Sequence, residues 1–275
     1  MPSVIKNGIK RSLKGTLRTV GYVTRTHHPT TRILTYHSIG QRRHEMNVTP
    51  ENFRSQMAWL AQHANVISLR DAAEGKPGVA ITFDDGYQDN LLNAAPVLKE
   101  FGFPAIVFIV AGKTGSVIAP NDDPQTSVLM TWDEVRALEG FGVEIGAHGM
   151  THRRLSELSE DEQGAEILES KRIIEAELGH PIRCFAYPYG STLDYTELTF
   201  SLTRKAGFRY AVSNRYGIVP VGAFPWELRR IWIDATDSLA SFKAKVDGRL
   251  DMLSVLDSPA GSRWRKRFNT LLGLR

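Results

Sequence analysis

Seven short apolar runs recur along the chain, each bounded by polar or turn-forming residues: 32–38 (RILTYHS), 79–84 (VAITFD), 104–110 (PAIVFIV), 143–147 (VEIGA), 183–187 (RCFAY), 210–213 (YAVS) and 228–233 (LRRIWI). Their lengths and their content of Val, Ile, Phe and Tyr predict strands. Between them, apolar residues recur at helical spacing over 50–62 behind a Thr49 cap, 91–101, 132–138, 161–178, 195–206 and 239–250. Strands alternating with helices over this length predict a parallel sheet. With seven strands and no Gly-x-Gly-x-x-Gly after the first, the expected fold is α/β: a distorted seven-stranded (β/α) barrel, TIM-barrel-like, rather than a doubly wound nucleotide-binding sheet. The connection 111–131, which contains APNDDP, is long for a structureless loop and is the candidate functional loop.

Composition bounds the setting. The chain has 275 residues, 42% of them hydrophobic, enough to bury a full core. No window holds the roughly eighteen consecutive apolar residues of a membrane span. The opening MPSVIKNGIKRSLKG lacks an apolar block and a small-residue cleavage site, so the expected location is the cytoplasm. The single cysteine, Cys184, lies in a strand-like run and is expected to be a buried, inert thiol.

Charge is segregated. Residues 1–32 carry seven Lys or Arg and no acid, and residues 258–275 carry five and no acid; the middle keeps 22 of the 34 basic residues against all 30 acids, a net −8. In the first tail Ile5, Ile9, Leu13, Leu17 and Val20 share one helical face beside Lys6, Lys10, Lys14 and Arg18. The expected organisation is a basic amphipathic segment (1–30), a central domain (31–257) and a basic tail (258–275). Such tails suit either an anionic membrane surface, making the protein peripheral on the inner face of the cell membrane, or docking on the acidic body or a second subunit. Nucleic acid is not an expected partner, because no aromatics interleave an extended basic groove.

The stretch GVAITFDDGYQDN, residues 78–90, ends an apolar run on two adjacent acids, Asp84 and Asp85. Adjacent carboxylates repel, so either they cap a helix beginning near Gln88 or a cation sits between them. Reactive residues also close other strands: His37 the first, His148 the fourth, Pro188 and Tyr189 the fifth, Asp234 the seventh. In a parallel barrel those ends share one face, where active sites are built. His148 and His152 are four apart and would project together if the chain turned helically after Gly149. Two histidines and one carboxylate form a metal site with open positions, leaving the other aspartate to take a proton from water. Both acids reach inward only if the backbone turns at the strand end, which Gly86 permits.

TFDDG, AHGMTH and FAYPYG, in this order and at these separations, resemble the motifs of the polysaccharide deacetylase family, carbohydrate esterase family 4, over about residues 31–235. The resemblance implies removal of N-acetyl groups from amino sugars on a distorted barrel. It implies Asp84 as catalytic base, Asp85, His148 and His152 as ligands of a divalent metal (Zn2+, with Co2+ or Ni2+ as alternatives), and Pro188, Tyr189 and Gly190 as the substrate side, the Tyr189 N–H serving the oxyanion. Three departures stand out. Gly149 occupies a place usually held by Ser or Thr. Phe185 and Ala186 occupy the region of an arginine that pairs with the catalytic aspartate, so Arg230, or its neighbour Arg229, is the expected substitute. No histidine follows His180 to act as a late general acid, so His37 in TYHSIG is the expected proton donor, as in the branch acting on exopolysaccharides such as poly-N-acetylglucosamine.

The function expected is a metal-dependent N-deacetylase of an N-acetylated sugar, oligosaccharide or lipid-linked saccharide in polysaccharide or glycolipid biosynthesis. The alternatives are a deformylase or amidohydrolase on a lipid-linked amino sugar, and a non-catalytic scaffold in a polysaccharide assembly complex. His27 and His28 read as solvated linker residues, His44 as a loop residue, His63 and His180 as helix-end cations. Asp234 either lines the site or caps a turn, and Trp132 and Trp226 either stack on sugars or pack in the core.

Overall fold

The computed structural model describes residues 30–41, 44–118 and 128–257. The amphipathic N-terminal segment with His27 and His28, the APNDDP part of the long connection and the C-terminal tail lie outside the described residues. Along the chain, β1 (Thr31–Tyr36) leads into a short parallel pair, β2 (Ser38–Ile39) and β3 (Asn47–Val48), then α1 (Pro50–His63) and α2 (Leu69–Ala73). There follow β4 (Gly78–Phe83), α3 (Ala95–Phe101), β5 (Ala105–Ile109), α4 (Trp132–Glu139), β6 (Val143–Ala147), α5 (Glu160–Leu178), β7 (Cys184–Ala186), α6 (Glu197–Lys205), β8 (Tyr210–Tyr216), β9 (Leu228–Trp232) and α7 (Leu239–Val246). Strands β1, β4, β5, β6, β7, β8 and β9 form a closed parallel barrel, sealed where Leu34 and Thr35 of β1 pair with Ile231 and Trp232 of β9.

The elements start where local chemistry dictates. Thr49 accepts from Asn52 N ahead of Pro50, and reciprocal capping boxes, Thr131 with Glu134 and Ser159 with Glu162, open α4 and α5. Two helices differ from the periodicity. The expected helix over 91–101 begins as a π-turn, Asn90–Ala94, because Pro96 has no N–H to give the preceding turn. The last helix stops at Val246 instead of continuing to 250. Arg32, which counts with the basic tail in the sequence, is a buried strand residue whose guanidinium holds the Asp251 carboxylate at 2.7 and 2.9 Å.

Strand alternation divides the core in two. Leu34, Tyr36, Ile81, Phe83, Val107, Ile109 and Phe185 belong to the layer under the helices, while Ile33, Ala80, Ile106, Phe108, Cys184, Val212 and Leu228 form the second cluster, inside the barrel. In the outer layer Tyr36 stacks on Phe83 with ring centroids 5.5 Å apart and meets Phe53 of α1 edge-on at 5.3 Å; each such ring contributes about 1.5–3 kcal/mol by leaving water. Inside, Gly146 makes room for Phe108, since a β-carbon there would lie 2.5 Å from the ring. Cys184 is buried in this inner cluster, and burial pushes its thiol well above the ordinary range. Continuing the inner register one step past β4 brings Asp84 into the mouth; the inner register of β9 runs Leu228, Arg230, Trp232.

Candidate active site

The first acid of the pair continues the strand and the second turns the chain. Beyond Phe83, Asp85 takes φ +74° and Gly86 φ +80°, so two consecutive carboxylates reach the same mouth. Gly86 alone does not make this turn; Asp85 itself adopts the left-handed conformation, which is costly for a residue with a side chain.

Asp84 and Arg230 are fully buried and joined by two parallel hydrogen bonds, Nη1 to Oδ1 at 2.7 Å and Nη2 to Oδ2 at 2.6 Å. The guanidinium is itself fixed: Nε donates to Ser213 O at 2.9 Å, Nη1 to Thr82 Oγ1 at 3.1 Å and Nη2 to Asn214 Oδ1 at 2.7 Å. Phe108 lies beneath it, 5.7 Å from the guanidinium carbon. Burial alone would raise the Asp84 carboxyl, but Arg230 and the nearby histidines outweigh it and hold the group well below the usual carboxylate range. Of the two candidate arginines, Arg230 makes this pair; Arg229 packs against Gly217 instead.

Asp85, His148 and His152 converge, each offering one ligand atom within 4.8 Å of the others. His148 Nε2 lies 3.5 Å and His152 Nε2 3.3 Å from Asp85 Oδ1, a buried oxygen with no hydrogen-bond partner. The Nδ1 of His148 lies 2.8 Å from the Ala186 carbonyl, which can only accept, so Nδ1 carries the hydrogen and Nε2 presents a lone pair. Burial pulls His148 down to about 4, leaving it neutral at pH 7. A lone pair facing an orphaned carboxylate oxygen is repulsive unless a cation lies between them, and one carboxylate with two imidazoles suits a divalent ion. The histidines do not share a helix: the chain after β6 is irregular, with Gly149 at φ +77° and His152 at φ +63°, and its first helical turn comes only at Leu155–Glu157. The expected common projection is produced by a loop.

His37 stands on the other side of Asp84, its Nε2 4.0 Å from Oδ2, with its carbonyl held by Asn90 Nδ2 at 2.7 Å. Burial lowers its pKa below that of free imidazole, against the opposing pull of Asp85 and Asp84. Tyr189 completes the mouth at φ +61°, its ring lodged between His152, 4.8 Å away, and the Arg154 guanidinium, 4.0 Å away. Among the described residues its N–H has no acceptor. Pro188 and Gly190 shape the turn; a β-carbon on Gly190 would strike Asn214 N at 2.7 Å. Asp85, His152 and Tyr189 are the only non-glycine residues with positive φ among the described residues, and all three face this mouth.

His37, Asp85, His148, His152 and Tyr189 line a cavity of about 300 Å³ that also includes Met46, Asn214, Trp232 and Asp234, with Asp84 buried beneath it. Asp234 lines it and caps its turn, accepting from Thr236 N at 2.8 Å. Trp232 and Asn214 do not stand out in the sequence; the period-2 step from Arg230 to the next inner position of β9 would have found the tryptophan. Trp132 and Trp226 pack against the core instead. His63 and His180 lie at helix ends, His180 paired with Glu139 at 2.8 Å, and His44 accepts from Met46 N in its loop. A cavity of about 440 Å³ at the strands' N-terminal ends, between Arg70, Arg183 and Arg209, has no comparable convergence of ligands.

A family model described as polysaccharide deacetylase matches residues 71–211, about half of the chain. A Bacillus subtilis protein, YxkH, is 26% identical over 224 residues, covering 78% of this chain and 75% of its own length. The poly-β-1,6-N-acetyl-D-glucosamine N-deacetylase of Staphylococcus aureus is 26% identical over 204 residues, 68% of each chain. The solved structure of the Streptococcus pyogenes deacetylase PplD superposes with a TM-score of 0.68 at 22% identity, covering 78% of this chain and 97% of PplD, a likeness of fold.

Proposed function

This chain belongs to the polysaccharide deacetylase family, and from that premise we propose that it is a metal-dependent hydrolase that removes N-acetyl groups from a saccharide of the poly-N-acetylglucosamine type, polymeric or lipid-linked. The observation that carries the reading is the unpartnered Asp85 Oδ1 facing two imidazole nitrogens, beside an aspartate locked to an arginine. Kinship with the Staphylococcus aureus enzyme supports the substrate class.

Asp85, His148 and His152 would hold the divalent ion, with zinc the best match to this donor set. When bound, such an ion supplies Lewis acidity, activating water and polarising the amide carbonyl. Asp84, aligned by Arg230, takes the proton of the attacking water. His37 Nε2 lies 4.0 Å from Asp84 Oδ2, beyond direct hydrogen-bond reach, so a single bridging water would pass that proton to it. His37 then protonates the departing amine, and the Tyr189 N–H donates to the oxyanion. Trp232, partly exposed at the mouth, gives an aromatic face for a sugar ring.

Among the described residues no helix is long and apolar enough to cross a membrane. The proposed setting is the cytoplasm, at the inner membrane face, with the basic tails drawing the enzyme to anionic lipid and a lipid-linked saccharide. Salt-sensitive binding to vesicles containing anionic lipid would support that setting, and absence of binding by the full chain would refute it.

The activity is tested by acetate release from poly-β-1,6-N-acetylglucosamine oligomers and from a small activated acetyl ester. The protein is stripped of metal and refilled with zinc or cobalt, beside Asp84→Asn. Turnover that needs metal and vanishes in the variant is expected. Metal-independent turnover would overturn the mechanism, and a metal-loaded protein inert on both substrates would favour the scaffold alternative.

A further inference from the structure

We infer that Glu166, on α5, is the positioning residue for His148 and His152, fixing the three-residue link that sets the distance between them. The inference rests on the metal reading above.

The link is Gly149, Met150 and Thr151. Glu166 is 6% exposed and lies two turns into α5, at a position set by the Ser159 capping box. Its Oε2 accepts from Met150 N at 2.8 Å and from Thr151 N at 3.0 Å, and its Oε1 takes the Thr151 hydroxyl. On the other side, the Gly149 carbonyl accepts from Ala111 N at 3.0 Å and the Met150 carbonyl from Gly112 N at 2.9 Å. Four main-chain polar groups of the link are therefore committed, two to a side chain and two to the turn after β5. A β-carbon at Gly112 would fall 2.6 Å from the Met150 carbonyl, so the backbones meet with no room to spare.

A carboxylate receiving two N–H groups and a hydroxyl forms strong, directional bonds. Its removal would leave the Met150 and Thr151 N–H groups without their acceptor, and the link would relax to find another. His152, held in the left-handed region at φ +63°, would be the first to leave that conformation. Glu166 makes no hydrogen bond to either ligand ring; it would act on the ion through the backbone between the ligands. A glutamine can substitute in part: its oxygen can accept both N–H groups while its amide donates to the Thr151 oxygen.

The test is calorimetric titration of Zn2+ into the metal-stripped full chain, with the visible spectrum of the Co2+-loaded protein as a second readout. Glu166→Ala should weaken zinc about 10–100-fold and alter the cobalt spectrum, and Glu166→Gln should recover most of both. Thr151→Val, which keeps the carboxylate and loses one bond, should weaken zinc a few-fold, and it carries the test if Glu166→Ala does not fold. Wild-type affinity and spectrum in the alanine variant would overturn the positioning role, as would a glutamine variant as weak as alanine. A wild-type chain that binds no zinc would instead overturn the metal reading on which the role depends.

Discussion

Arg230 grips both oxygens of Asp84 across 146 residues of sequence, at 2.7 and 2.6 Å, with neither side chain exposed. The pair keeps the proposed base ionised and fixes the plane of its carboxylate. Removing the arginine leaves a buried charge unpaired. Arg230→Ala should therefore lower unfolding stability by about 3–5 kcal/mol in urea titrations and abolish turnover. The double variant with Asp84→Asn should lose less stability than the sum of the two single changes. Additive losses would show that the pair does not act as a unit.

The same pair gives an acid dependence of definite sign. The folded-state pKa of Asp84 lies below that of an unfolded aspartate, about 3.9, because Arg230 outweighs the burial that would raise it. Its contribution is thus fully present above the unfolded value and is lost as pH falls through the folded value. Between neutrality and the acid limit, the metal-free wild type should lose stability more steeply than Asp84→Asn. Identical slopes would mean that Asp84 is protonated equally in both states.

Loss of a proposed ligand should be separable from loss of the base. His148→Ala or Asp85→Ala is expected to leave the purified protein without metal, whereas Asp84→Asn should retain about one ion and turn over nothing. Metal analysis beside an acetate assay distinguishes the two classes.

Restoring the hydroxyl residue that the family usually places after the first motif histidine should harm this protein. Gly149 sits at φ +77°, and a β-carbon there would lie 3.0 Å from Glu166 Oε2. Gly149→Ser should cost about 1–2 kcal/mol from the backbone conformation alone and weaken zinc binding. Equal or better affinity would show that the link has slack.

The seven strands, their order and the face carrying the chemistry are legible in the sequence because each depends on short-range pattern: apolar runs of strand length, and reactive residues at their ends. Spacing pairs His148 with His152 and the family resemblance adds Asp85; the fold does bring the three together, although a loop rather than a helix aligns the histidines. What spacing misses is what the barrel brings together from distant segments. Nothing around Glu166 marks it out, since its partners lie 15 and 16 residues back on another element. Trp232 and Asn214 read as ordinary strand residues until closure sets them beside His37 in one cavity. The assignment of Arg230 over Arg229 depends on the inner register of β9, which a one-residue shift would reverse.

Barrel closure also orders events during synthesis. The first strand waits for the last: Leu34 and Thr35 find Ile231 and Trp232 only after nearly two hundred intervening residues have been made. Until then Asp84 lacks its arginine and one edge of β1 has no neighbour, so a ribosome-bound or truncated chain ending before β9 should lack the proposed activity and be open to edge-to-edge association. The proposed activity would thus report closure of the barrel, since the residue that aligns the proposed base comes on the strand that shuts it.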